Sequence, residues 1–92
     1  MHAIYKYELG VLEKQIISLP RGAKIIRVDS LEGRFWLWAM VDLSPDCPLE
    51  MRSIEMYKTG MPIDNPTGLV YLGLCTLYVM QELGLYTFER VS

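Results

Sequence analysis

Ninety-two residues leave room for one domain and one modest core, since a chain near this size buries only about two-thirds of its unfolded surface. Yet 51% of the residues are hydrophobic, with six Tyr, two Trp, two Phe and six Met, so part of this surface is expected to meet a second copy or a partner. The net charge of −2, with nine basic and eleven acidic residues intermixed, lacks the electrostatic footprint of direct DNA or RNA binding.

Leu69 to Met80, the longest apolar stretch, is interrupted by Gly73 and Thr76 and is too short for a membrane-spanning helix. Met1-His2-Ala3-Ile4-Tyr5-Lys6 lacks the charged-then-apolar order of a secretion signal. Cys47 and Cys75 are therefore expected as free thiols in a cytoplasmic protein.

In chain order, Ala3 to Leu9 alternates, with Tyr5, Tyr7 and Leu9 on one side and Ile4, Lys6 and Glu8 on the other, the pattern of a half-exposed strand. Gln15 to Leu19 forms a second run, closed by Pro20-Arg21-Gly22. Lys24 to Ser30 is a third, joined through a tight Glu32-Gly33 hairpin to a fourth, Phe35 to Leu43. That fourth run is apolar on both faces, with Phe35, Leu37, Ala39 and Val41 opposing Trp36, Trp38 and Met40. Such a strand is buried between layers or at an interface, and subunits or a partner are expected to meet there.

Leu49 to Lys58 reads as a fifth strand, with helix as the alternative given its Leu, Glu, Met and Arg. A loop dense in turn residues, Thr59 to Gly68, leads to a sixth strand, Leu69 to Val79. Gln81 to Gly84 is expected as the turn into a seventh, Leu85 to Val91, with a short helix over Leu77 to Leu83 as the competing reading. The fold class is all-β: a small antiparallel β-sandwich or barrel of six to seven strands in a single domain.

Catalytic chemistry finds little material. The single histidine, His2, sits at the chain start, and two isolated cysteines make no ligand set without it, so neither a metal nor another cofactor is expected. A Ser or Cys nucleophile has no base besides His2, and Cys75, between Leu74 and Leu77, reads as a packing thiol. Glu50, Glu55, Asp64 and Glu82 carry no signature spacing and are expected to be solvated. No GxxxxGK[ST] or GxGxxG phosphate loop is present.

Two features remain as candidate binding elements. Lys58-Thr59-Gly60-Met61-Pro62-Ile63-Asp64 places a cation, a hydroxyl and an unhindered backbone N–H beside a Pro-stiffened turn, the ingredients of an anion site or of a plain wide connection. Tyr5, Tyr7, Trp36, Trp38, Tyr57, Tyr71, Tyr78 and Tyr86, with Arg34 and Arg52 nearby in sequence, form either an aromatic core or a set of rings for stacking and protein contact. The candidate ligand- or partner-binding residues are thus Arg34, Trp36, Trp38, Arg52, Lys58 and Thr59.

The succession Ile4-Tyr5-Lys6-Tyr7-Glu8-Leu9, Leu19-Pro20-Arg21-Gly22-Ala23-Lys24-Ile25, Leu37-Trp38-Ala39-Met40-Val41-Asp42, Thr59-Gly60-Met61-Pro62-Ile63 and Leu69-Val70-Tyr71-Leu72-Gly73 resembles a family of small proteins encoded in bacteriophage and prophage genomes. The resemblance covers nearly the whole chain. Members often end near His-Val-Phe-Glu, whereas here Tyr86-Thr87-Phe88-Glu89 keeps Phe-Glu without the histidine. It brings no active site. It implies a phage protein made in the host bacterial cytoplasm that counters host defence; with the scarce catalytic material and the rich apolar surface, the reading is a non-enzymatic, homo-oligomeric binding protein. The implied partner is a defence protein, such as a CRISPR complex, or a small nucleotide immune signal. The alternative is an oligomerising structural or assembly accessory.

Overall fold

The computed structural model describes residues 1–91, and among them there is no helix. The two-residue alternation becomes seven strands: β1 His2–Leu9, β2 Lys14–Pro20, β3 Lys24–Leu31, β4 Arg34–Asp42, β5 Leu49–Tyr57, β6 Leu69–Val79 and β7 Gln81–Arg90. All pairings are antiparallel, in a three-stranded sheet ordered β1-β4-β3 and a four-stranded sheet ordered β2-β5-β7-β6. The fold is a small β-sandwich.

Both helical alternatives are corrected. In β5, Ile54 and Met56 enter the core while Ser53 and Met51 face away, a division with period two that no helix reproduces. In the other segment Leu77 pairs with Leu83 across the β6–β7 hairpin. The expected turn at Gln81–Gly84 is also corrected: the chain reverses at Met80, which has a φ of 61°. Gly84 is a strand residue opposite Thr76, where a Cβ would come within 3.1 Å of the Leu74 side chain. Its small size makes room for Leu74 and does not signal a turn.

The expected hairpin at Glu32-Gly33 is present. Both residues have positive φ, 53° and 77°, the requirement of a tight two-residue connection matched to strand twist. Between the sheets lie Leu9, Leu19, Val28, Phe35, Leu37, Ala39, Val41, Ile54, Met56, Cys75 and Leu85. The core is mainly aliphatic, and Phe35 is its largest fully buried side chain. Truncating Phe35 to Ala would cost about 3–5 kcal/mol.

Along one side the sandwich closes. There β3 lies against β6, and the Ser30 hydroxyl accepts a hydrogen bond from the Thr76 amide at 3.3 Å. Gly73 permits the approach, since a Cβ on it would sit 2.8 Å from Val28 Cγ2. On the other side the outer edges of β1 and β2 pair with no strand among the described residues.

Candidate binding face

β4 is the middle strand of its sheet, so its two apolar faces have different fates. Phe35, Leu37, Ala39 and Val41 fill the core, while Arg34, Trp36, Trp38 and Met40 stand on the outer face. Antiparallel register sets Lys6 opposite Trp38 and Glu8 opposite Trp36 on one flank. On the other flank it sets Arg27 opposite Trp38 and Asp29 opposite Trp36. Lys6 Nζ lies 4.3 Å from the centre of the Trp36 ring, and the Arg27 guanidinium lies 4.3 Å from that of Trp38. Each contact contributes about 0.5–1 kcal/mol at an exposed site, and together they leave both indoles half-buried.

Carboxylates complete this layer. Arg27 also donates to Asp29 at 2.6 Å, and this bond, helped by the Ser30 amide, holds the Asp29 carboxyl below the usual carboxylate range. Arg34 stands 3.9 Å from Glu8. Beside Trp36 opens a hollow of about 590 Å³ lined by Lys6, Leu31, Glu32, Arg34 and Trp36. The face therefore offers two anchored indoles amid charges of both signs.

Of the six residues nominated from sequence, Arg34, Trp36 and Trp38 come together here. Arg52 does not. It lies on the four-stranded sheet, where both Glu89 carboxylate oxygens accept from its Nε and Nη2, and its Nη1 donates to Ala23 O at 2.8 Å and to Glu50 at 3.3 Å. These bonds engage the guanidinium within the fold. Lys58 and Thr59 are exposed in the β5–β6 loop. The hollow of about 280 Å³ under that loop is lined instead by residues including Tyr57, Asp64, Asn65 and Arg90.

A buried cluster at this loop escaped the sequence reading. Glu55, expected to be solvated, is buried and accepts from Arg90 Nε and Nη2 and from the Tyr57 hydroxyl. The Arg90 hydrogen bond is the main reason its carboxyl sits below the ordinary glutamate value, and the Glu55 carboxylate in turn raises the Tyr57 phenol. Arg90 continues to Asn65 O at 2.8 Å and Thr67 O at 3.0 Å, fixing the loop. The signal lay in parity: adjacent Glu89 and Arg90 face opposite sides of β7, and each meets a β5 partner of opposite charge on its own side.

The other aromatic side chains are mostly peripheral. Tyr71 packs on Phe88 with ring centres 5.4 Å apart, and Tyr57 meets the same ring edge-on at 6.2 Å. Among the described residues, no three His, Cys, Asp or Glu side chains converge in a metal-binding arrangement, and no helix is long and apolar enough to cross a membrane. Cys75 is buried, and burial pushes its thiol up.

A family model described as domain of unknown function (DUF7352) matches residues 1–92, so the chain belongs to that family. No curated protein and no solved structure matches it.

Proposed function

We propose that this member of the DUF7352 family is a non-enzymatic binding protein that engages a protein target through the outer face of its three-stranded sheet. The observation that supports this reading is the pair of indoles on β4, Trp36 and Trp38, each held under a cation from a different neighbouring strand. Tryptophan and arginine dominate binding hot spots, because a pre-ordered flat ring loses little freedom on association. Lys6, Arg27 and Arg34 alternate with Glu8 and Asp29 across the face, and mixed charge complements a protein surface better than a polyanion.

The resemblance to phage proteins makes the target a component of bacterial defence, met in the host cytoplasm. The experiment is to produce the chain in bacteria carrying defined defence systems, one at a time, and to measure phage plating. Plating is restored against at least one system by the wild-type chain and not by Trp38→Ala. Failure of the wild type against every system tested would overturn the reading.

A second reading, capture of a small nucleotide signal, is favoured by the hollow of about 590 Å³ that sets Lys6 and Arg34 beside Trp36. A base would stack on the indole in place of the lysine. Tight capture must raise the melting temperature, and a set of cyclic nucleotides that leaves it unmoved at large excess excludes this mechanism.

A further inference from the structure

We infer that the outer edge of β1 is a self-pairing surface, through which two copies of this chain join their three-stranded sheets into one six-stranded sheet about a twofold axis at Tyr5. The hydrogen-bond phase of β1 fixes which backbone groups are free. Leu43 N–H donates to Met1 O at 2.9 Å, and the register continues as His2 opposite Asp42 and Ala3 opposite Val41. In an antiparallel ladder bonded and non-bonded pairs alternate, so Ala3, Tyr5, Tyr7 and Leu9 bond to β4. The N–H and C=O groups of His2, Ile4, Lys6 and Glu8 point outward, two on each residue.

These four residues match themselves. Centred on Tyr5, an antiparallel second β1 sets His2 against the second copy's Glu8 and Ile4 against its Lys6, so every outward N–H and C=O finds a partner. Glu8 then faces an imidazole rather than a like charge. The other edges are closed or blunted: β3 and β6 cover one another, and β2 ends in Pro20, which has no N–H to donate. β1 contains no proline and no register shift against β4. Its lysine leans back over Trp36, so the device that most often protects an edge is turned away.

Side-chain exposure favours the same occupant. Tyr5 is on the core-facing side of β1 yet 51% exposed, while Ala39 beside it on β4 is 0% exposed, so the four-stranded sheet stops short of β1. A second copy would set the two Tyr5 rings side by side in a non-bonded pair, with Cα atoms about 4.5 Å apart. On the opposite face, Ile4 and Met40 are 55% and 41% exposed. Their neighbour across the junction would be the Lys6 stem of the second copy, next to its Trp38. The two indole faces thereby become one surface. This pairing does not depend on what that surface binds.

Three measurements on the full chain test it. Light scattering is expected to give twice the 10.6 kDa chain mass. Ile4→Pro removes one outward N–H and no bond to β4, a placement that edge strands tolerate, and is expected to give a folded monomer. In a Cys47→Ser background, Tyr5→Cys is expected to form an intermolecular disulfide on oxidation, and Ile4→Cys is not. A wild-type monomer at the highest soluble concentration overturns the inference, as does a folded Ile4→Pro chain of undiminished mass. Should Ile4→Pro not fold, the cysteine pair decides: cross-linking at position 5 alone supports the register, and its failure in a dimeric protein refutes it.

Discussion

Gly60 and Gly68 stand near the two ends of the β5–β6 loop with almost identical backbone angles, φ of 86° and 85°. An alanine at either position must adopt the left-handed conformation, at a cost of about 1 kcal/mol. Their surroundings differ. A Cβ on Gly60 meets nothing within 4 Å, whereas one on Gly68 would press on the carbonyl oxygen of Val91 more closely than real Cβ atoms approach anything. The backbone must then part where the Val91 amide donates to Gly68 O at 2.7 Å, beside the Arg90 bond to Thr67 O. Losing one such hydrogen bond adds about 1 kcal/mol, and residual strain adds as much again, for a total of roughly 2–4 kcal/mol.

In a domain of this size each kcal/mol lowers the melting temperature by about 4–8 °C. Gly60→Ala is therefore expected to lose about 4–8 °C and Gly68→Ala roughly 8–32 °C, two to four times as much, both read by circular dichroism at one protein concentration. Equal losses would refute the assignment of Gly68 as the point where the loop locks onto the strand ending in Arg90.

Three further outcomes follow from the same geometry. Lys6→Ala and Arg27→Ala are each expected to cost about 0.5–1 kcal/mol and to change the fluorescence of one indole; denaturant unfolding combined with single-Trp variants checks this. Glu55 has its carboxyl lowered by Arg90, so its contribution is complete above the unfolded value of about 4.3 and is lost as pH falls through the lower folded value. Glu55→Gln should accordingly flatten the acid limb of stability below about pH 4.3, as measured by urea midpoints across pH; an unchanged limb would contradict the pairing. With thiol alkylation followed by mass spectrometry, Cys47 is expected to react in the native protein and buried Cys75 only after unfolding.

The fold was legible because strand alternation is a local signal. Tyr5, Tyr7 and Leu9, or Phe35, Leu37, Ala39 and Val41, declare a face without knowledge of the partner strand. The β6–β7 turn is not legible in sequence because Gly84 has two physical uses, and its service to the Leu74 side chain depends on a contact between strands. Likewise, Trp36 and Trp38 could be nominated from their own strand, but their covering cations come from β1 and β3, and register alone brings Lys6 and Arg27 over the rings. Arg52 does not join that face, because its acceptors Ala23, Glu50 and Glu89 are gathered from three parts of the chain and only the fold brings them to it. Glu55 looks solvated in sequence because its partner Arg90 lies 35 residues away.

Whether the Trp36–Trp38 face is the binding surface is tested most directly by comparing two folded double variants in a bacterium whose defence system the wild-type chain relieves. Trp36→Ala/Trp38→Ala removes the indoles, and Met51→Ala/Tyr71→Ala removes exposed groups from the opposite sheet. Phage plating is expected to fall to the level of cells without the protein for the first pair and to stay at the wild-type level for the second. Full plating with the tryptophan pair replaced would contradict the assignment.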